Sequence, residues 1–233
     1  MKQLLLISNS TLHGSDYLDH CEDEIKNFLN GKKTVLFIPY ARPGGISHED
    51  YTSTAKNRFE KMGFELTGIN EVDDEKNAIE STDAIFIGGG NTFVLTGMLY
   101  KNDLIEPIHK AVSNGTLYIG TSAGSNVACR SVKTTNDMPI YYPHSFDGLD
   151  LVPFNINPHY IDPDPSSKHM GETRDTRIKE FHVYNDTPVI GLREGAMILC
   201  NNNEFLLKGT FGARLFRKNK KPIELEIGKE IHL

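Results

Sequence analysis

The run Gly120-Thr-Ser122-Ala-Gly124 has the residue types and spacing of a nucleophile elbow. In such a turn a serine sits between a strand and a helix, in a strained backbone that small neighbours permit. Its hydroxyl projects into the crevice, and the next amide points at the oxyanion that develops in acyl transfer. The flanks agree: Thr116–Gly120 is a short apolar run, and a helical pattern leads from the turn to about Cys129. The other reading of these five residues is a Gly-rich tight turn with a capping serine.

A serine nucleophile needs a base, and the base needs an acid to orient it. Of the nine histidines, His20, His109, His169 and His182 lie in charged or helical surroundings and read as surface residues. His159 follows the strand-like run Leu151–Pro158, so it falls at a strand terminus, where a catalytic or a plain loop histidine would fit. Asp137 lies in the polar loop Thr134–Pro139 and by itself reads as a turn residue. A second Gly-rich turn, Gly88-Gly-Gly-Asn91, follows another apolar run. Its amides could cradle a phosphate or complete an oxyanion hole beside Ser122. It lacks the spacing of a P-loop or a dinucleotide fingerprint, which favours the oxyanion role.

The elements that must position these groups follow from periodicity. Short apolar runs predict strands at Leu4–Ile7, Thr34–Pro39, Phe64–Ile69, Ala84–Ile87 and Thr116–Gly120. Helical patterns fall between them, over 16–30, 48–62, 92–100 and 103–113. Strands without strict alternation, separated by helices, predict a mainly parallel sheet covered on both faces. In such sheets ligands bind beyond the carboxyl ends of the strands, where both Gly-rich turns fall. Residues 131–170 carry six prolines and should be largely loop around a strand near 151–157. A helix is expected over Gly171–Val183, then short, mostly antiparallel strands at 189–190, 196–200, 204–208 and 214–216.

Composition narrows the classes. The 233 residues are 38% hydrophobic and 24% charged, ordinary globular usage with enough chain to bury a core without staples. No linker or repeat divides them, so one domain spanning 1–233 is the economical expectation. The net charge of −6 argues against a nucleic-acid partner. Three scattered cysteines (Cys21, Cys129, Cys200) contain no CxxC pair and suggest free thiols in a reducing compartment. No segment approaches a membrane span or a signal peptide. A cytoplasmic protein without a membrane partner, monomeric or a weak homodimer, is the expectation.

Several stretches together resemble the peptidase E family, α-aspartyl dipeptidases of the serine type. They are Leu5–Leu12 (LLISNSTL), Phe37–Pro39, Gly88–Phe93 (GGGNTF), Leu117–Asn126 (LYIGTSAGSN), Thr134–Ile140 (TTNDMPI), Phe146–Leu151, Ile156–His159 (INPH) and Gly171–Arg174 (GETR). Their order and spacing agree over most of the chain. The resemblance implies an α/β fold of the class I glutamine amidotransferase-like, flavodoxin-like type. It places the nucleophile on Ser122, the general base on His159 and the orienting acid on Asp137. It places the oxyanion hole on the Gly90 and Ala123 amides, and the receptor of the substrate's aspartyl carboxylate on Arg174. Asn91 falls in the same pocket, and Glu172 is an available acceptor for the substrate α-ammonium. A small peptide is the implied substrate, and the chemistry requires no metal or organic cofactor. Two rivals share these features: a non-catalytic anion-binding module, and a hydrolase of β-linked aspartyl polymers.

Overall fold

The computed structural model describes residues 1–164, 166 and 171–233. The chain alternates strand and helix through its first half. The elements are β1 (Gln3–Ile7), α1 (Glu22–Phe28), β2 (Thr34–Ile38), α2 (His48–Met62), β3 (Glu65–Gly68), α3 (Glu75–Ser81) and β4 (Ala84–Ile87). Then come α4 (Thr92–Lys101), α5 (Ile105–Ser113), β5 (Leu117–Thr121) and α6 (Ala123–Val127). After a long irregular stretch follow β6 (Asn155–Pro158), α7 (Arg174–Tyr184), β7 (Val189–Leu192), β8 (Ala196–Asn201), β9 (Glu204–Gly209), β10 (Ala213–Phe216) and β11 (Ile223–Leu225).

Seven strands form the main sheet in the order β3-β2-β4-β5-β1-β8-β9. Its first five are mutually parallel, and β8 and β9 extend it antiparallel. β4 and β5 are buried along their whole length, as parallel strands covered on both faces must be. Alternate residues feed two cores. Leu4, Leu6, Leu36, Ile38, Ile85 and Ile87 pack on one face, and Leu5, Ile7, Val35, Phe37 and Phe86 on the other. The second sheet runs β11-β10-β7-β6, with β6 parallel to β7. The expected class, a mainly parallel α/β sheet with short antiparallel strands toward the C-terminus, is the one observed.

Two local departures have physical causes. The helix expected over 16–30 is confined to Glu22–Phe28. Leu18 is fully buried with φ of 61°, and its amide turns back to the Ser10 carbonyl at 2.7 Å; that left-handed residue ends any helix upstream. α3 lacks a signal because it buries only Ile79. Its start is fixed instead by Asp74, whose side chain accepts from the Asn77 amide. Among the described residues no helix is long and apolar enough to cross a membrane.

Candidate active site

β1, β4 and β5 are in register, so the loops that follow them emerge at one end of the sheet. The loop after β5 is the turn that carries Ser122. Ser122 has φ 52° and ψ −110°, a conformation non-glycine residues rarely adopt and which typically costs about 1–3 kcal/mol. The turn is held from several sides. The Ser122 amide donates to the Ile7 carbonyl at 3.0 Å, and its carbonyl accepts from Asn126 at 2.9 Å. Ser125 Oγ is 2.7 Å from both the Ile7 and Gly120 carbonyl oxygens. Both glycines of the motif are obligatory: a Cβ on Gly124 would run into the Ile87 carbonyl, and one on Gly120 into the Gly124 carbonyl.

His159 sits just past the end of β6, also at positive φ (51°). Its amide donates to Ser8 Oγ at 3.0 Å, and that hydroxyl donates to the Leu192 carbonyl at 2.8 Å. The ring bridges two side chains. Nε2 lies 2.9 Å from Ser122 Oγ, and Nδ1 lies 2.6 Å from Glu194 Oε1. A carboxylate on Nδ1 fixes the tautomer in which Nε2 is the free acceptor facing the serine. Glu194 lies in the turn between β7 and β8. That turn is fixed by Asn9, whose Oδ1 accepts from the Gly195 amide at 2.8 Å. Ser8 and Asn9 thus set the base and the acid from one loop.

Asp137 is not the residue that orients His159, contrary to the sequence expectation. Its Oδ2 accepts from the Thr92 amide at 2.7 Å and from Thr135 Oγ1 at 3.0 Å. The cause is the pairing of β6 with β7. Pro158 lies beside Leu192, so the residues just beyond both strands meet, and these are His159 and Glu194. The loop bearing Asp137 is stitched to β6 from another side. Asn126 and Thr134 bond the Ile156 carbonyl, Asn157 bonds the Thr134 carbonyl, and Asn136 bonds the Pro158 carbonyl. Glu194 was invisible to sequence reasoning because nothing marks it until that pairing is known.

The turn after β4 backs the serine. A Cβ on Gly89 would lie 3.0 Å from Ser122 Cβ, and one on Gly90, at φ 149°, would strike the Ala41 carbonyl. That carbonyl already accepts the Asn91 amide at 2.7 Å. Among the described residues neither the Gly90 nor the Ala123 amide is engaged by a protein acceptor. Asn91, expected to touch substrate, is occupied otherwise. Its Oδ1 caps α4 by accepting from Phe93 and Val94, and its Nδ2 donates to the Met138 carbonyl at 2.9 Å. It builds the wall that joins the Gly-rich turn to the Asp137 loop.

Arg174 is the first residue of α7, after Thr173, which caps the helix. Its neighbour Asp175 anchors that end of the helix, accepting from Tyr160 Oη at 2.5 Å and from Arg214 Nη1 at 3.2 Å. Arg174 is half-buried, and among the described residues no carboxylate comes within ion-pair distance of it. Burial pulls its guanidinium below the usual range, Arg177 adds to this, and the field of Asp137 opposes it. Glu172 lies further out, mostly exposed and 3.7 Å from Arg177 Nε. Lys168 and His169 lie outside the described residues.

The cysteines stand apart from this chemistry. All three are buried free thiols, and burial pushes Cys21 and Cys129 up to about 12. A thiol held so far from its thiolate is a poor nucleophile.

Residues 4–208 match the model of peptidase family S51. The chain belongs to that family. Relatives align with nearly the whole chain. It is 46% identical to a peptidase E of Streptomyces coelicolor, over 98% of this chain and 93% of the relative. It is likewise 46% identical to a probable alpha-aspartyl dipeptidase of Drosophila melanogaster, over 96% of this chain and 93% of the relative. A peptidase E of Salmonella paratyphi A is 42% identical, with 97% and 98% covered. Two solved structures share the fold. A peptidase from an acI-B1 Actinobacterium superposes with a TM-score of 0.76 at 18% identity, over 100% of this chain and 97% of that one. A putative peptidase E of Listeria monocytogenes superposes with 0.65 at 22% identity, over 91% and 100%.

Proposed function

We propose that this family S51 peptidase is a serine-type dipeptidase that hydrolyses dipeptides with an N-terminal α-linked aspartate. The observation that carries the chemistry is the 2.9 Å approach of His159 Nε2 to a serine held at positive φ, with Glu194 behind the ring. In the first step His159 takes the Ser122 proton as Oγ bonds to the peptide carbonyl carbon. Glu194 stabilises the imidazolium. The Gly90 and Ala123 amides receive the oxyanion, where unpaired donors are worth most. Collapse breaks the C–N bond, and His159 gives its proton to the departing amine. Water then repeats the sequence, with His159 as base, and releases the aspartyl group from Ser122.

Specificity rests on Arg174. Its guanidinium matches a carboxylate in a planar two-pronged contact. Relatives named peptidase E and alpha-aspartyl dipeptidase support an aspartyl side chain as that partner. A cytoplasmic setting fits the three buried thiols. The test is kcat/KM on Asp-Leu and Asn-Leu for wild type, Arg174→Ala and Arg174→Lys. Wild type should reject Asn-Leu by roughly thirty-fold or more, the usual scale for a charge left without its partner. Arg174→Ala should lose most Asp-Leu activity and narrow the Asp/Asn ratio. Arg174→Lys should recover only part, because a point charge cannot form the fork. An unchanged ratio in Arg174→Ala would place the specificity elsewhere. Cleavage of β-linked but not α-linked aspartyl substrates by wild type would favour the polymer hydrolase.

A further inference from the structure

We propose that Asp137 is the receptor for the substrate's α-ammonium group. This rests on the aspartyl dipeptidase reading above. A dipeptidase must recognise a free amine, and covalent geometry limits where the receptor can sit. The amine nitrogen lies about 2.5 Å from the scissile carbonyl carbon. A carboxylate oxygen that pairs with it must therefore come within about 5–6 Å of that carbon. The receptor has to border both the oxyanion turn and the base.

The Asp137 loop is tied to both sides by hydrogen bonds. Its Oδ2 is fixed on the Thr92 amide, two residues past Gly90. The adjoining Asn136 is fixed on the Pro158 carbonyl, one residue before His159, at 2.6 Å. Asn91 ties the following residue, Met138, to the same Gly-rich turn. The carboxylate is thus wedged between the two halves of the machinery without touching the His159 ring. Oδ2 is occupied, whereas Oδ1 accepts nothing among the described residues and is not sealed from solvent. The field of Asp137 reaches the Arg174 guanidinium, and among the described residues the two form no ion pair.

Other carboxylates of this region have partners of their own. Glu194 is bound to the His159 ring, Asp162 to Arg193 and Asp175 to Tyr160 and Arg214. Glu172 sits at the surface beside Arg177. Asp137 keeps one oxygen without a partner among the described residues.

The experiment compares Asp-Leu with succinyl-leucine, which keeps the side-chain carboxylate and the peptide bond but lacks the amine. Dissociation constants are measured by calorimetry in Ser122→Ala, which binds without turnover, and in Ser122→Ala/Asp137→Asn. Asparagine keeps an oxygen for the Thr92 amide, so the loop should hold; matched melting temperatures check this. Asp-Leu should bind Ser122→Ala at least about ten-fold tighter than succinyl-leucine. Asp137→Asn should abolish that advantage and leave succinyl-leucine within about three-fold. A preference for Asp-Leu that survives Asp137→Asn overturns the proposal. So does equal weakening of both ligands, which is what a merely structural role produces. Wild-type hydrolysis of Asp-Leu, measured alongside, separates the two levels. Its absence overturns the dipeptidase reading and this inference with it; its presence with either contrary binding result overturns this inference alone.

Discussion

Ser122→Ala should lower kcat on an α-aspartyl p-nitroanilide by roughly 10⁴- to 10⁶-fold while leaving the protein folded, since a triad acts as a unit. The removed hydroxyl is the group that bonds to the substrate carbonyl carbon, and its bond to His159 Nε2 is the contact that activates it. Alanine suits the same strained turn, because the backbone bonds to Ile7 and Asn126 hold the conformation and not the side chain. The melting temperature should shift by no more than a few degrees. His159→Ala should lose a similar factor, and the double variant little more. Activity within a few-fold of wild type in either single variant would remove the serine mechanism.

Glu194→Gln is the second large effect. The carboxylate lies 2.6 Å from His159 Nδ1. A glutamine that presents its amide N–H there favours the wrong tautomer, with the proton on Nε2 facing the serine. Loss of the orienting acid in this way costs about 10⁴-fold in kcat. The loss should be the same on Asp-Leu, on the p-nitroanilide and on succinyl-leucine, because Glu194 acts through the His159 ring. Asp137→Asn should behave differently, with a penalty that depends on whether the substrate carries an amine. Steady-state kinetics of the two variants on the three substrates tests this. A uniform 10⁴-fold loss in Asp137→Asn, with Glu194→Gln near wild type, would restore Asp137 as the orienting acid.

The contrast between these two carboxylates shows what the chain reveals before it folds. Ser122 was legible because its neighbours are constrained by backbone approach: Gly120 and Gly124 have no room for a Cβ, and that leaves a pattern in sequence. His159 was legible as a strand-end histidine. The parallel sheet was legible from apolar runs such as Ala84–Ile87, which is buried throughout. Glu194 left no local mark. It reaches His159 only because β6 and β7 pair in parallel, and the connection between them carries α7. Long-range pairing of that kind has no signature in periodicity. Asp137 carried a local mark, a polar loop after the elbow helix, but the asparagines around it steer it to the start of α4. Asn91 lies on the Gly-rich turn, and its side chain serves the helix cap.

Ser8 and Asn9 give the LLISNSTL stretch a part in the site although it supplies no reacting group. One hydroxyl and one carboxamide after β1 hold the backbone of His159 and the turn of Glu194. Supports of this kind decide whether a base meets its nucleophile within hydrogen-bonding distance.

The most direct measurement locates the covalent adduct left by a small fluorophosphonate, by peptide mapping with mass spectrometry, in wild type and in His159→Ala. An activated serine should carry the label, and its formation should depend on the base. The expected result is a single adduct on Ser122, formed in step with loss of activity and suppressed in His159→Ala. An adduct that inactivates the protein from Cys129 or any other residue, with Ser122 unmodified, would contradict the account.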